Sequence, residues 1–125
     1  MTTVLLVEDN VDNARALTRL LTRRGFSMLW AATGQDALAT VREAKPDIIL
    51  MDIGLPDIDG LEVTRRIKAD PDVAMIPVIA LTAHAMSHDK TAALAAGCID
   101  FAPKPVNLPD LLKSMRAFVV AAENG

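Results

Sequence analysis

The sequence predicts an α/β fold, a doubly wound parallel sheet with helices on both faces. Three observations predict it. Short apolar runs alternate with segments of helical periodicity along the chain. The run Asp47-Ile48-Ile49-Leu50-Met51-Asp52 is almost wholly apolar rather than alternating, which is the pattern of a strand covered on both sides. Polar residues also gather where the apolar runs end: Glu8-Asp9, Asp52, Thr82 and Lys104.

Thr3 to Val7 reads as a buried first strand, followed by a loop and an Asn cap. Ala14, Leu17, Leu20 and Leu21 then fall at helical spacing, and Arg23-Arg24-Gly25 supplies a basic last turn and a glycine stop. Ser27 to Ala31 is the second strand. Thr33-Gly34 opens a second helix with Ala37, Leu38 and Val41 inward, and Pro46 ends it. The third strand runs from Asp47 to Asp52. Asp59 caps a third helix with Glu62 as its reciprocal partner, and Val63 and Ile67 face the core. Asp70-Pro71-Asp72 breaks that helix.

The fourth strand is Pro77 to Leu81, ending at Thr82-Ala83. A helix from about Ser87 to Ala96 stops at Gly97. Ile99 to Ala102 forms a short fifth strand, closed by Pro103-Lys104-Pro105, where Lys104-Pro105 is a candidate cis bond. The last helix starts near Asn107, tolerates Pro109 in its first turn, and carries Leu111, Leu112, Met115, Phe118 and Val119.

At 125 residues with 51% hydrophobic content, the chain suits one folded domain with a real core. Thirteen basic against 16 acidic residues give a net charge of −3, which offers no footprint for nucleic acid or an anionic membrane. Cys98 is the single cysteine, so no intrachain disulfide can form, and it reads as a small buried apolar residue. Neither a signal peptide nor a run approaching the roughly 20 apolar residues of a membrane helix is evident. A cytoplasmic protein is expected.

Sheets of this kind bind ligands beyond the carboxyl ends of their strands, where strand order reverses. If the order is 2-1-3-4-5, Glu8, Asp9 and Asp52 converge on one crevice, although periodicity alone leaves the order open. Taken singly, each is an ordinary solvated acid. Together they repel one another, and a hard divalent ion such as Mg2+ resolves the repulsion. A carboxylate beside such an ion can act as a nucleophile toward phosphorus. Phosphoryl transfer then needs cations and hydroxyls for the equatorial oxygens, and Lys104 and Thr82 are the right types. Alone, these two are a surface lysine and a loop-capping threonine.

In these marks the chain resembles the response-regulator receiver domains of two-component signalling. The matching residues are Glu8-Asp9, Asp52 with Leu55-Pro56 and Asp59-Gly60, Thr82-Ala83, and Lys104-Pro105, from about Thr3 to the last helix. The resemblance implies a single receiver domain over residues 1–125, with the flavodoxin-like (βα)5 order 2-1-3-4-5. It also implies Asp52 as phosphoacceptor. Mg2+ would be held by Asp9, Asp52 and the Gly54 carbonyl, with Glu8 acting through a metal-bound water.

Lys104 is then expected to pair with the phosphoryl group. Thr82 would swing toward it and let Phe101, otherwise an ordinary core aromatic, turn inward. Gly54 and His84, two residues past Asp52 and Thr82, are positions expected to tune the phosphoryl lifetime. The expected donor is a histidine kinase or histidine phosphotransfer protein. The expected output is a protein target or neighbouring domain that reads helix 4, strand 5 and helix 5. The domain would catalyse only its own phosphorylation and dephosphorylation.

Other readings fit less well. An Mg2+-dependent aspartyl-phosphate phosphohydrolase usually carries a second Asp two residues past the nucleophile, and that position is Gly54. A docking pseudo-receiver would be expected to lose Asp52 or Lys104. His84 and His88 have the spacing of a zinc pair, but Ala85 stands where a metalloprotease has its Glu. No glycine-rich nucleotide loop is present.

Overall fold

Apolar runs of four to five residues supply the strands, and each is followed by a helix: β1 (Thr3–Val7), α1 (Val11–Arg23), β2 (Ser27–Ala31), α2 (Gly34–Ala44), β3 (Ile48–Asp52), α3 (Gly60–Ala69), β4 (Val78–Thr82), α4 (Ser87–Ala96), β5 (Asp100–Pro103) and α5 (Leu108–Asn124). The computed structural model describes residues 2–83 and 87–124, the side chains of residues 87–89 and 119–124 excepted. His84, the His88 side chain and the Val119 side chain therefore lie outside the described residues. The five strands form one parallel sheet in the order β2-β1-β3-β4-β5. This is the expected flavodoxin-like fold.

Alternation along the strands divides the core in two. Leu5, Val7, Ile49, Met51, Val78 and Ala80 face one layer, completed by Ala37, Val41, Val63, Ile67 and Ala93 from α2, α3 and α4. Val4, Leu6, Ile48, Leu50, Ile79 and Leu81 face the other, completed by α1 and α5 through Leu17, Leu21, Leu111 and Met115. Every residue of β3 is buried. At about 1.5–3 kcal/mol for each large apolar side chain removed from water, the central strands dominate the drive to fold. Leu20 has the helical spacing but points outward, 40% exposed. Leu38 is only partly buried.

The helix ends follow local chemistry. Asn10 caps α1 by accepting from the Asn13 N–H, and Thr33 caps α2 by accepting from the Asp36 N–H. Asp59 caps α3 by accepting from the Leu61 N–H at 2.7 Å. The expected reciprocal bond from Glu62 is replaced by ion pairs with Arg65 and Arg66 at 3.2 and 3.1 Å. Two guanidinium groups one helical turn on outcompete a backbone amide for that carboxylate.

Three strands differ by one residue from the expected bounds: β3 starts at Ile48 rather than Asp47, and β4 and β5 are each displaced by one residue toward the carboxyl end. Pro77 has no N–H for the ladder, so β4 starts at Val78, although the Pro77 carbonyl accepts from Ile49 at 2.9 Å. β5 starts at Asp100 and reaches Pro103, which pairs with Thr82. The Lys104-Pro105 peptide is cis. Cys98 is buried as expected, its thiol 3.9 Å from the Thr64 hydroxyl, and burial pushes its pKa up.

Gly97 ends α4 at φ +111°, and a Cβ there would lie 2.7 Å from Lys68 Cγ. That lysine cannot swing away freely, because its ammonium donates to the Ala74 and Ile76 carbonyls at 2.9 and 2.5 Å. Gly97→Ala should cost about 1–2 kcal/mol through the left-handed backbone and this contact. Urea unfolding checks it, and a variant as stable as the wild type would contradict both causes.

Candidate functional site

The parallel register places the ends of β1, β3 and β4 side by side, with Val7 beside Met51 and Asp52 beside Leu81. The residue after β1 and the last residue of β3 are therefore neighbours. Glu8 and Asp52 are buried there, while Asp9 faces solvent. One carboxylate oxygen from each of Glu8, Asp9 and Asp52 falls within 4.8 Å of the others, a set that can hold a metal ion.

Lys104 enters from the end of β5. Its Nζ lies 2.7 Å from Glu8 Oε2 and 3.2 Å from Asp52 Oδ2. It bridges the two buried acids. The reason is electrostatic: two carboxylates with little access to water need a cation nearby. The Lys104 N–H donates to the Thr82 carbonyl at 2.6 Å, which ties the buried Thr82 to the same strand end.

The Gly54 N–H donates to Asp52 Oδ1 at 3.1 Å, so Gly54 belongs to the site as well. Phe101 is half-buried against the layer under α2, α3 and α4 and pairs in register with Ala80. Of the residues expected here, His84 alone lies outside the described ones.

Burial raises the pKa of the Glu8 carboxyl above its ordinary value. The Asp52 charge raises it further, and the bonds from Lys104 and Asn10 oppose this without cancelling it. For Lys104 burial acts downward, yet the bond to Glu8 and the charges of Asp52 and Glu8 outweigh it and raise the ammonium. Among the described residues no buried side-chain nitrogen or oxygen lacks a hydrogen-bond partner. The site is closed around its own counter-charge.

Two contributors escaped the sequence reading. The Trp30 indole N–H donates to the Glu8 carbonyl at 2.7 Å and holds the loop that carries the acid pair. The Asp57 carboxylate accepts from the Gly34 and Gln35 N–H groups at 2.8 and 3.0 Å. Both link residues more than 20 positions apart. The only local hint of the first was an aromatic near the end of an edge strand.

Comparison with known proteins agrees with this geometry. The family model for the response regulator receiver domain matches residues 4–116. The chain belongs to the response regulator receiver family. It is 38% identical over 116 residues to the polar-differentiation response regulator DivK of Brucella anthropi, covering 93% of this chain and 94% of that one.

Among solved structures it resembles the receiver domain of the sensor histidine kinase PA1611 from Pseudomonas aeruginosa. That receiver has a magnesium ion coordinated in its active-site cleft (TM-score 0.87, 34% identity, 94% of this chain and 97% of that one). It also resembles a chain in the co-crystal structure of the Saccharomyces cerevisiae histidine phosphotransfer protein Ypd1 with the receiver domain of Ssk1 (TM-score 0.88, 32% identity, 95% and 89%). Membership of the receiver family disfavours both the phosphohydrolase and the docking pseudo-receiver. This is a receiver domain of the signalling response-regulator family, not a classical enzyme.

Proposed function

We propose that this receiver accepts a phosphoryl group on Asp52 from a phosphohistidine and thereby switches a protein-binding surface. One observation carries the reading: three carboxylates within 4.8 Å of one another, with Lys104 Nζ 3.2 Å from the Asp52 carboxylate. An Asp52 oxygen attacks phosphorus as the P–N bond to the donor imidazole breaks. The electron pair leaves with the nitrogen, which takes up a proton.

Asp9, Asp52 and the Gly54 carbonyl would hold Mg2+ directly, and Glu8 would act through a water. When bound, the ion offsets the carboxylates and supplies positive charge to the equatorial oxygens. Lys104 transfers its ion pair from the acids to the new phosphoryl group. Thr82 turns its hydroxyl toward the same group, and Phe101 moves inward behind it. The added charge biases a two-state equilibrium on the face formed by α4, β5 and α5. Gly54 and His84 set how long the phosphoryl group lasts. A Cβ at Gly54 would meet only Asp52 Oδ1, at 4.0 Å, so a side chain there would stand over the acceptor.

Residues 1–125 act as one receiver in the cytoplasm, and no described helix is long and apolar enough to cross a membrane. The donor is a histidine kinase or phosphotransfer protein. A groove of about 470 Å3 opens beside Glu8 and Lys104, lined by Ala16, Leu17 and Leu20 of α1 and by Pro105, Val106 and Leu108. It suits an apolar helix face that brings a phosphohistidine to the acid. Output passes to a downstream protein or a neighbouring domain.

Trp30 is the only tryptophan and its indole holds the Glu8 carbonyl, so its emission should respond to metal. Titrating Mg2+ should give a saturable fluorescence change that Asp9→Asn weakens. Phosphotransfer profiling against candidate kinases should then label the wild type rapidly. Absence of any saturable response, by fluorescence or by calorimetry, would remove the metal from this reading.

A further inference from the structure

We propose that Asp57 is a positioning residue for the phosphoacceptor site: its carboxylate, tied to the first two amides of α2, holds the loop that presents Gly54 to Asp52. This rests on the receiver reading above. The loop leaves β3 after Asp52 and returns at Gly60. Its base is closed by the Gly60 N–H donating to the Ile53 carbonyl at 3.0 Å. Gly60 also lies so close over Asp52 that a Cβ would fall 2.1 Å from the Asp52 carbonyl oxygen.

The tip is fixed elsewhere. Asp57 Oδ1 accepts from Gly34 and Oδ2 from Gln35, the two amides that begin α2 and have no partner within the helix. The approach is close enough that α2 must start with glycine. A Cβ on Gly34 would lie 2.9 Å from Val63 Cγ2 and 3.1 Å from Ile58 Cβ. A carboxylate at the positive end of a helix is favourable, and these amide bonds hold its pKa below the ordinary range.

α2 does not depend on Asp57 for its cap, because Thr33 Oγ1 already accepts from the Asp36 N–H at 3.1 Å. The loop depends on it more. Among the described residues, these are the only hydrogen bonds from a side chain of residues 53–59 to an element other than α3. Between base and tip lies Gly54, exposed and without a side chain of its own to anchor it. Its N–H reaches Asp52 Oδ1 only while both ends of the loop stay fixed.

The experiment compares Asp57→Ala with Thr33→Ala, which loosens the same helix end without touching the loop. Amide hydrogen exchange at Gly54 is followed by NMR in the metal-free protein, and Mg2+ affinity by calorimetry. Asp57→Ala should weaken Mg2+ binding about fivefold and speed Gly54 exchange about tenfold, while Thr33→Ala leaves both within about twofold. Asp57→Asn, which keeps one acceptor oxygen, should fall between wild type and Asp57→Ala. Equal effects of Asp57→Ala and Thr33→Ala, or wild-type values for Asp57→Ala, would overturn the proposal. A wild type that takes up neither Mg2+ nor phosphoryl groups would fail the receiver reading instead. In that case Gly54 exchange in the two variants still decides whether Asp57 holds the loop.

Discussion

Asp52→Asn should reduce phosphorylation by a small acyl-phosphate donor, or by a cognate kinase, to background. The substitution nearly preserves shape. The amide oxygen can still accept from the Gly54 N–H, and the surrounding β3 core, buried on both faces, is untouched. What is lost is the charged nucleophile, since a neutral amide oxygen forms no stable bond to phosphorus. The metal site also loses one of its three carboxylates. Circular dichroism should report an intact fold, which separates lost chemistry from lost structure. Undiminished labelling of Asp52→Asn would move the phosphoacceptor to another residue and remove the central assignment.

How much of this was legible depended on whether the deciding interaction was local or long-range. The β3 run and its terminal acid were legible because a doubly covered strand must be apolar throughout, so Asp52 stood out as the one charge at its end. The cap at Asn10 was legible because it bonds three residues ahead. The Glu62 cap was not. Its reach backward competes with Arg65 and Arg66 on the same helix face, and spacing cannot rank the two.

Asp57 was not legible because its partners lie 22 and 23 residues earlier, across a packed interface. Lys104 was placed at the right strand end but given only one partner. The strand ends showed where charges gather. Which of them pair with one another is set by packing in three dimensions, which spacing along the chain does not show.

That pairing makes Lys104→Met the most informative stability variant. Met keeps the apolar stem and removes the ammonium that bridges Glu8 and Asp52 at 2.7 and 3.2 Å. The side chains of the two acids are only 4% and 8% exposed, so water cannot replace the lost counter-charge. Breaking one partner out of a buried pair costs roughly 3–5 kcal/mol. Because Lys104 itself is 22% exposed, we expect about 2–3 kcal/mol at neutral pH without metal.

The penalty should shrink with added Mg2+, which binds the folded acids and restores a cation among them. It should also shrink in acid. Burial already raises the Glu8 pKa in the folded state, so the stability linked to its proton is full below the ordinary 4.5 and is lost as pH rises through the folded value. Removing Lys104 takes away the strongest influence holding that value down, so the window widens upward. Denaturant melts at neutral and acidic pH, each with and without Mg2+, test the whole scheme. A Lys104→Met protein with wild-type stability in all four conditions would mean that the acids do not need the lysine. One destabilised equally in all four would mean that packing of the side chain, and not its charge, is what the strand end requires.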